Sequence, residues 1–420
     1  MVSRTDPNMG LYYFLLHFWT RLFGDSEAAL RSLTVLLGGL AIPVIAVLGK
    51  RLFGRTCGLV AGLLLALSPF FVQYEQTARS YALLVLLVLL SSYFFVAALQ
   101  RPSGATLTAY ALSSTLAIYA HYFAALVLLV QLATLLAVKR REAFTGPWLA
   151  TGGAVLVLCA PEIVFAHRAG SGGISWIHVP TLGTLVRFPG DVAGYKPLAA
   201  LLIVLACYGL ARAAIDRQDW KPWFLAGWLV GPVLLVFVVS RLGHPLFVTY
   251  YLIIVLPAFL LLAALGVARL PRGPATIAAV VLLVALSAVG MRDWYRSPSF
   301  ESYRAATRYI LAGANPADGI VGYPAKTVGY GIAYYEALNH VHGPKHIDLR
   351  LGQSPSTHPP RIWLVVRNSN VSPQEDGRLR RAISSQYAQL GPPADFTGIT
   401  VILYRLDGAP LPRSGRRRRA

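Results

Sequence analysis

The feature that most constrains this chain is a series of apolar runs between about residue 29 and residue 291, each roughly 16 to 22 residues long. A run of that length as a helix crosses, or nearly crosses, a ~30 Å hydrocarbon layer. We place ten such spans at 29–49, 57–72, 80–99, 105–120, 121–138, 147–166, 197–214, 222–240, 247–268 and 273–291. The composition agrees: charged residues make up 13% of the chain, against about 25% in a soluble globular protein. After Met291 the texture becomes mixed and polar. The reading is an α-helical polytopic membrane protein with a small soluble C-terminal α/β domain.

Four parts follow from this texture. Residues 1–28 form an external loop and a short helix, 29–291 a transmembrane bundle, 292–407 an extracytoplasmic α/β domain, and 408–420 a basic disordered tail. In residues 10–24, "GLYYFLLHFWTRLFG", Tyr, His, Trp and Arg punctuate a short apolar stretch, the pattern of a helix lying at a membrane surface. In the last part, "DGIVGYP", "RIWLVVRNS" and "ITVILYRL" read as strands. "FESYRAATRYILAGA" has helical spacing, with Tyr303, Ala306, Tyr309 and Ile310 on one side, and "GRLRRAISSQYAQLG" reads as a helix ended by Gly391.

The net charge of +20 sits largely in short connections, where membrane topology puts it. Alternate connections carry Lys50, Arg51 and Arg55, then Arg101, then Lys139, Arg140 and Arg141, then Arg212, Arg217 and Lys221, then Arg269 and Arg272. That richer set faces the cytoplasm, which leaves the N-terminus and the C-terminal domain outside. An outside N-terminus leaves two readings: the chain inserts N-out unaided, or, as the favoured expectation, a first inward-to-outward helix is missing from this sequence. The tail "RSGRRRRA" reads as a solvated terminus that favours anionic lipid, and nucleic acid is not an expected partner. Cys57, Cys159 and Cys207 show no CxxC spacing and read as structural thiols.

Ionisable groups near span ends are the places to look for chemistry, because a membrane interior penalises them by about 2.5–3.5 kcal/mol. At the outer ends these are Asp6, His17, Asp25, Glu27, Glu75, Arg79, His121, Glu162, Arg168, Asp191, Arg241 and His244. The segment "SPFFVQYEQTARSYAL" (68–83) gathers Gln73, Tyr74, Glu75, Gln76 and Arg79 between two apolar runs. With a helix starting near Gln76, Glu75 and Arg79 share its first turn. They read either as a local ion pair at a helix start or as a carboxylate and a phosphate-binding guanidinium facing a cavity. Tyr74 and Tyr81 read as interfacial belt residues or as the lining of a sugar or lipid site. His121 and Tyr122 in "IYAHYFA", and His244 in "GHPLFVTYYL", carry the same two readings, and Trp176 in "GISWIHVP" reads as an interface anchor.

Several of these stretches resemble one family. "DPNMGLYYFLLHFWTRLFGDSEAALRSLTVLLGGLAIPVIAVLGKRLFG" is similar to the opening of family 39-type membrane glycosyltransferases, the group that includes protein mannosyltransferases and the lipid A aminoarabinose transferase. "SPFFVQYEQTARSY" resembles that family's S-P-x-x-x-x-Y-x-Q-E-A-R-x-Y segment, with Glu75 before Gln76 and Thr77 where Glu is usual. "YAHYFA", "ISWIHVP" and "GHPLFVTYYLIIVLP" look familial too, although Tyr250 stands where the family has Arg. The resemblance covers roughly residues 5–310 and is strongest in the first hundred.

The resemblance implies a GT-C fold. It also implies inverting transfer of a mannose-type sugar from a polyprenyl-phosphate donor to a protein, glycan or lipid acceptor, at the outer face of the plasma membrane. It implies catalytic roles for Asp6 and Glu75, and substrate-binding roles for Gln76, Arg79, Tyr81, His121, Tyr122, His244 and Tyr251. No cofactor is required by it, and a divalent metal is compatible with it. The family's acidic first loop lies upstream of "DPNMGLYY", in line with the missing first helix. That keeps a non-catalytic, degenerate relative as the alternative. A lipid or glycan transporter, the other alternative, needs polar residues at mid-span, and the spans read as clean there.

Overall fold

The computed structural model describes residues 7–169, 177–216, 220–271, 273–296, 301–347, 358–368 and 371–407. They fall into two compact units that divide between Arg296 and Ser297. Asp6, Trp176 and the basic tail 408–420 lie outside the described residues.

In the first unit the expected apolar runs are largely helical, except that the run at 57–72 is broken and the run at 247–268 becomes helical only from Tyr251. A 3-10 turn, Pro7–Met9, leads into α1 (Gly10–Phe23). Then follow α2 (Glu27–Phe53), α3 (Arg55–Ala66), α4 (Pro69–Glu75), α5 (Tyr81–Gln100), α6 (Gly104–Ala120), α7 (Ala124–Ala143) and α8 (Gly146–Ala169). After these come α9 (Leu182–Ala193), α10 (Lys196–Ile215), α11 (Trp220–Arg241), a 3-10 run Tyr251–Val255, α12 (Leu256–Arg269) and α13 (Pro274–Arg296). Among the described residues seven helices are long and apolar enough to cross a membrane, or eight if the bent pair α3–α4 is one span, fewer than the ten expected. Helix α6 is shorter, at 17 residues, and α7 carries Lys139, Arg140 and Arg141 near its end. This is a membrane protein built as a helical bundle.

Two details differ from expectation and shape the site. The span expected at 57–72 is broken, with its halves bent by 55°. Ser68 makes the break: its hydroxyl accepts the Phe71 N–H at 3.3 Å, and Pro69 opens α4. Proline suits a first helical position because its missing N–H is not needed there. Helix α5 starts at Tyr81, not near Gln76. Residues 76–80 form a turn, so Glu75 ends one helix while Arg79 precedes the next, and the shared helical turn expected for them does not exist.

The core centres on α12, whose residues from Leu256 to Val267 are all buried. Gly266 sets its closest approach, because a Cβ there would run into the Leu205 carbonyl of α10. The spans are not clean in the middle. Ser91 and Ser92 of α5, Ser114 of α6 and Gln131 of α7 form a buried network: Ser91 Oγ lies 2.9 Å from Ser114 Oγ, and Gln131 Nε2 donates to Ser92 Oγ at 3.2 Å. Its members satisfy one another, as groups without water must. It ties three helices together.

The second unit is a six-stranded sheet between helices. Its elements are α14 (Tyr303–Gly313), β1 (Gly319–Tyr323), α15 (Ala325–Leu338), β2 (Lys345–His346), β3 (Arg361–Arg367), α16 (Pro373–Ser384), β4 (Tyr387–Gln389), β5 (Ala394–Phe396) and β6 (Ile399–Leu406). The strand order is β2-β1-β3-β6-β4, with β5 pairing the other end of β6. Strands β1, β2 and β3 run parallel and the rest antiparallel. Alternate residues of β3 and β6 face opposite layers. Trp363, Val365, Ile399 and Val401 pack with Ile310, Val328 and Ile332 of α14 and α15, while Ile362, Leu364, Ile402 and Tyr404 pack with Leu379 and Ile383 of α16. The helix expected to reach Gly391 stops at Ser384, because Tyr387–Gln389 bonds to Tyr404–Leu406 as an edge strand and buries Tyr387.

Candidate active site

Glu75, Tyr81, His121, Tyr122 and Tyr251, among the sequence-expected residues, sit on four segments of the first unit. Helix α4 brings Tyr74 and Glu75, α5 opens with Tyr81, the α6–α7 turn carries His121–Phe123, and the 3-10 run before α12 begins with Tyr251 beside Tyr250.

Their rings form one continuous network. Tyr74 lies 5.2 Å from Tyr81 and 5.7 Å from Tyr250, centroid to centroid. Tyr81 is 5.5 Å from Tyr250 and 6.4 Å from His121. His121 continues to Tyr251 at 4.9 Å, and Tyr251 to Phe123 at 5.3 Å. Edge and tilted contacts of this kind hold rings in fixed orientations. Tyr81 is nearly inaccessible and His121 fully so.

His121 has a defined protonation state. It lies in the turn between two helices, and burial pushes its pKa down to about 3, so the imidazole is neutral. Its Nδ1 accepts the Phe123 backbone N–H at 3.2 Å, which puts the ring proton on Nε2. The Asn8 side-chain amide stands 3.3 Å from Nε2. The atom at that distance is Asn8 Nδ2, and Asn8 Oδ1 is buried without a hydrogen-bond partner.

Glu75 is half-buried, and its carboxylate lies over Gly38 of α2, in space that a Cβ at position 38 would occupy. Arg79 is exposed on the 76–80 turn. Gln76 points elsewhere: its amide donates to the Tyr295 hydroxyl of α13 at 2.8 Å. Tyr122 leaves the ring network and bonds Glu162 of α8 through its hydroxyl. His244 is exposed on the segment after α11 and takes no part in the ring contacts. So Tyr81, His121 and Tyr251 come together with Glu75 nearby on α4, Tyr122 and Arg79 border them, and Gln76 and His244 stand apart. Among the described residues, no group of three or more His, Cys, Asp or Glu side chains is arranged to hold a metal ion.

Sequence reasoning passed over Tyr250, Asn8 and Gly38. Tyr250 appeared only as a departure from a familial Arg, and Asn8 and Gly38 act solely through residues distant in the chain. Nearby, α9, α10, α11 and α12 enclose an apolar cleft of about 240 Å³, lined by residues that include Phe188, Val192, Leu229, Val233 and Phe259.

Residues 9–165 match the family model described as dolichyl-phosphate-mannose-protein mannosyltransferase. The structure of ArnT from Cupriavidus metallidurans bound to undecaprenyl phosphate superposes on 97% of this chain and 89% of its own, with a TM-score of 0.62 at 14% identity. The GT-C fold is the architecture of this chain. The apo form of ArnT gives 0.60 over 94% of this chain and 87% of its own, also at 14% identity. The archaeal oligosaccharyltransferase AglB from Archaeoglobus fulgidus, in complex with an inhibitory peptide and a dolichol-phosphate, gives 0.51 at 11% identity over 97% and 67%. No curated protein matches the chain. Within the GT-C frame, α4, α5 and the α6–α7 turn, three of the four segments that build the ring network, lie inside the family-matched stretch.

Proposed function

We propose that the chain transfers a mannose-type sugar from a polyprenyl-phosphate donor to a protein, glycan or lipid acceptor, with inversion, at the extracytoplasmic face of the plasma membrane. The acceptor oxygen attacks the anomeric carbon, the bond from that carbon to the phosphate oxygen breaks, and the phosphate leaves on its lipid. The acceptor proton passes to a carboxylate. Glu75, next to Tyr74 on α4, is our candidate for that role, and Asp6 is a second candidate outside the described residues. Arg79, exposed on its turn, offers the planar donor fork that suits a lipid phosphate. The rings of Tyr74, Tyr81 and Tyr251 give sugar-stacking faces, and the apolar cleft beside α9 accommodates an isoprenoid chain.

The observation that supports this most is the convergence of the Tyr74, Tyr81, His121 and Tyr251 rings, with Glu75 next to Tyr74 on α4, in a chain whose residues 9–165 match a mannosyltransferase family model. The test titrates purified full-length protein with undecaprenyl phosphate and compares Arg79→Ala. A charge-assisted contact to phosphate contributes about 1.5–3 kcal/mol, so binding weakens at least tenfold. Equal binding by both proteins removes Arg79 from the site, and no binding by either overturns the donor class.

A further inference from the structure

Helix α4 is about two turns long and lies between two breaks, Ser68–Pro69 at its start and the 76–80 turn at its end. A helix that short is unstable by itself, so its place is set by what it touches. Helix α13 touches it at both ends. A Cβ at Gly290 of α13 would stand 3.0 Å from Pro69 Cγ and 2.8 Å from Tyr195 Cβ, so the bare glycine is what lets α13 lie against the start of α4. About a turn and a half further along α13, the Tyr295 hydroxyl accepts the Gln76 amide at 2.8 Å, just past the end of α4.

That second contact differs in kind from the bonds inside the turn. The Thr77 N–H and hydroxyl donate to the Tyr74 carbonyl at 3.2 and 2.6 Å, and the Arg79 N–H donates to the Thr77 carbonyl at 2.7 Å. These bonds give the turn its shape and tie it to α4. The Gln76–Tyr295 bond ties it to another helix and so gives it a place. A tyrosine near the end of a span is commonly an interfacial belt residue, whose ring does the work while its hydroxyl meets water and headgroups. The Tyr295 side chain is 58% exposed, yet its hydroxyl is bonded to a residue 219 positions away.

We propose that Tyr295 is a positioning residue: through Gln76 it fixes the 76–80 turn, and with it Arg79, for a phosphate-bearing lipid. This rests on reading Arg79 as the phosphate-binding residue of the proposed function. A turn released from α13 samples other placements. The apparent affinity then falls with the fraction of molecules in which Arg79 is still in place.

The test titrates full-length protein in detergent with undecaprenyl phosphate. Tyr295→Phe removes the hydroxyl and keeps the ring, and Gln76→Leu removes the amide. Loss of one neutral hydrogen bond weakens binding about threefold in either variant. The two combined lose no more than either alone, because both remove the same bond. With Arg79→Ala already in place, Tyr295→Phe changes nothing further, a silence that a general loss of structure does not produce. The inference is overturned if Tyr295→Phe binds as wild type does, the mark of a belt tyrosine. It is also overturned if Tyr295→Phe weakens binding by the same factor with and without Arg79. Equal binding by wild type and Arg79→Ala removes the phosphate role of Arg79 and this inference with it. A weakened Arg79→Ala beside an unchanged Tyr295→Phe leaves that role standing and removes the inference alone.

Discussion

Gly38→Ala offers a way to move Glu75 without altering Glu75. A Cβ at position 38 would overlap the Glu75 carboxylate, the free end of a flexible side chain, while no other group stands as close. Carboxylate and methyl must separate to a contact distance of ~3.5 Å, so the carboxylate shifts by about 1–2 Å. Misplacing a reacting group by 1 Å can cost about a hundredfold in rate. We therefore expect kcat/KM for sugar transfer from undecaprenyl-phosphate mannose to native membrane extract to fall about a hundredfold. Folding survives, because alanine suits a helix interior better than glycine. The matched control is next door: Gly39 is exposed, a methyl at that position would meet no atom within 4 Å, and Gly39→Ala changes the same helix by the same group. Wild-type turnover in both variants refutes a place for Glu75 in the chemistry. Equal loss in both shows that α2, not Glu75, was being perturbed.

Three further outcomes are expected. Gln131→Leu breaks the network joining α5, α6 and α7 and lowers stability by about 0.6–2 kcal/mol, read as a lower melting temperature in detergent with lipid binding retained. Asp318→Ala leaves Arg361 and the buried Trp363 indole, which donates to Asp318 Oδ2 at 2.9 Å, without their partner. A loss of about 3–5 kcal/mol follows, and hydrogen exchange across β1 and β3 should rise steeply. Ser372 caps α16 through a reciprocal box with Glu375, so Ser372→Ala costs about 1 kcal/mol. The Ser372 backbone N–H and hydroxyl also hold the Glu375 pKa below its ordinary value. Since the folded pKa is the depressed one, this contribution is present above the ordinary carboxylate range and is lost as pH falls through it. Exchange in α16, corrected for intrinsic rate, should rise on acidification in wild type and somewhat less in Ser372→Ala, which loses the hydroxyl but keeps the backbone N–H, the larger cause.

Much of the fold was legible because lipid makes helices announce themselves. The runs that became α2, α5, α10 and α13 need only length and hydropathy to be found. Strands β1, β3 and β6 were visible as β-branched runs. The α5 start was misplaced because the cap that decides the α3–α4 break, Ser68 with Pro69, shortens one helix and pushes the turn to residues 76–80. Helix α16 was overextended because Tyr387–Gln389 is helix-compatible locally and becomes a strand only through β6.

The site was legible in kind and not in arrangement. Tyr81, His121 and Tyr251 were singled out separately, yet the contacts that make them one network join segments far apart in the chain. Gln76 reads like its neighbours in sequence and is taken by Tyr295, which no local pattern reveals. Glu162 did carry a signal, a carboxylate inside an apolar run, but its partner lies forty residues upstream.

Helices α12 and α13 show what hydropathy alone conceals. Both are strongly apolar, yet the span Tyr251–Arg269 that contains α12 is almost wholly buried, while α13 is mostly exposed. The first is wrapped by protein on every side, so each of its side chains must fit a shape. The second mostly meets lipid, a solvent that accepts many shapes. Under mutation and selection, α13 should drift freely among Leu, Val, Ile and Ala, while α12 keeps the volume at each position and changes only in concert with α10.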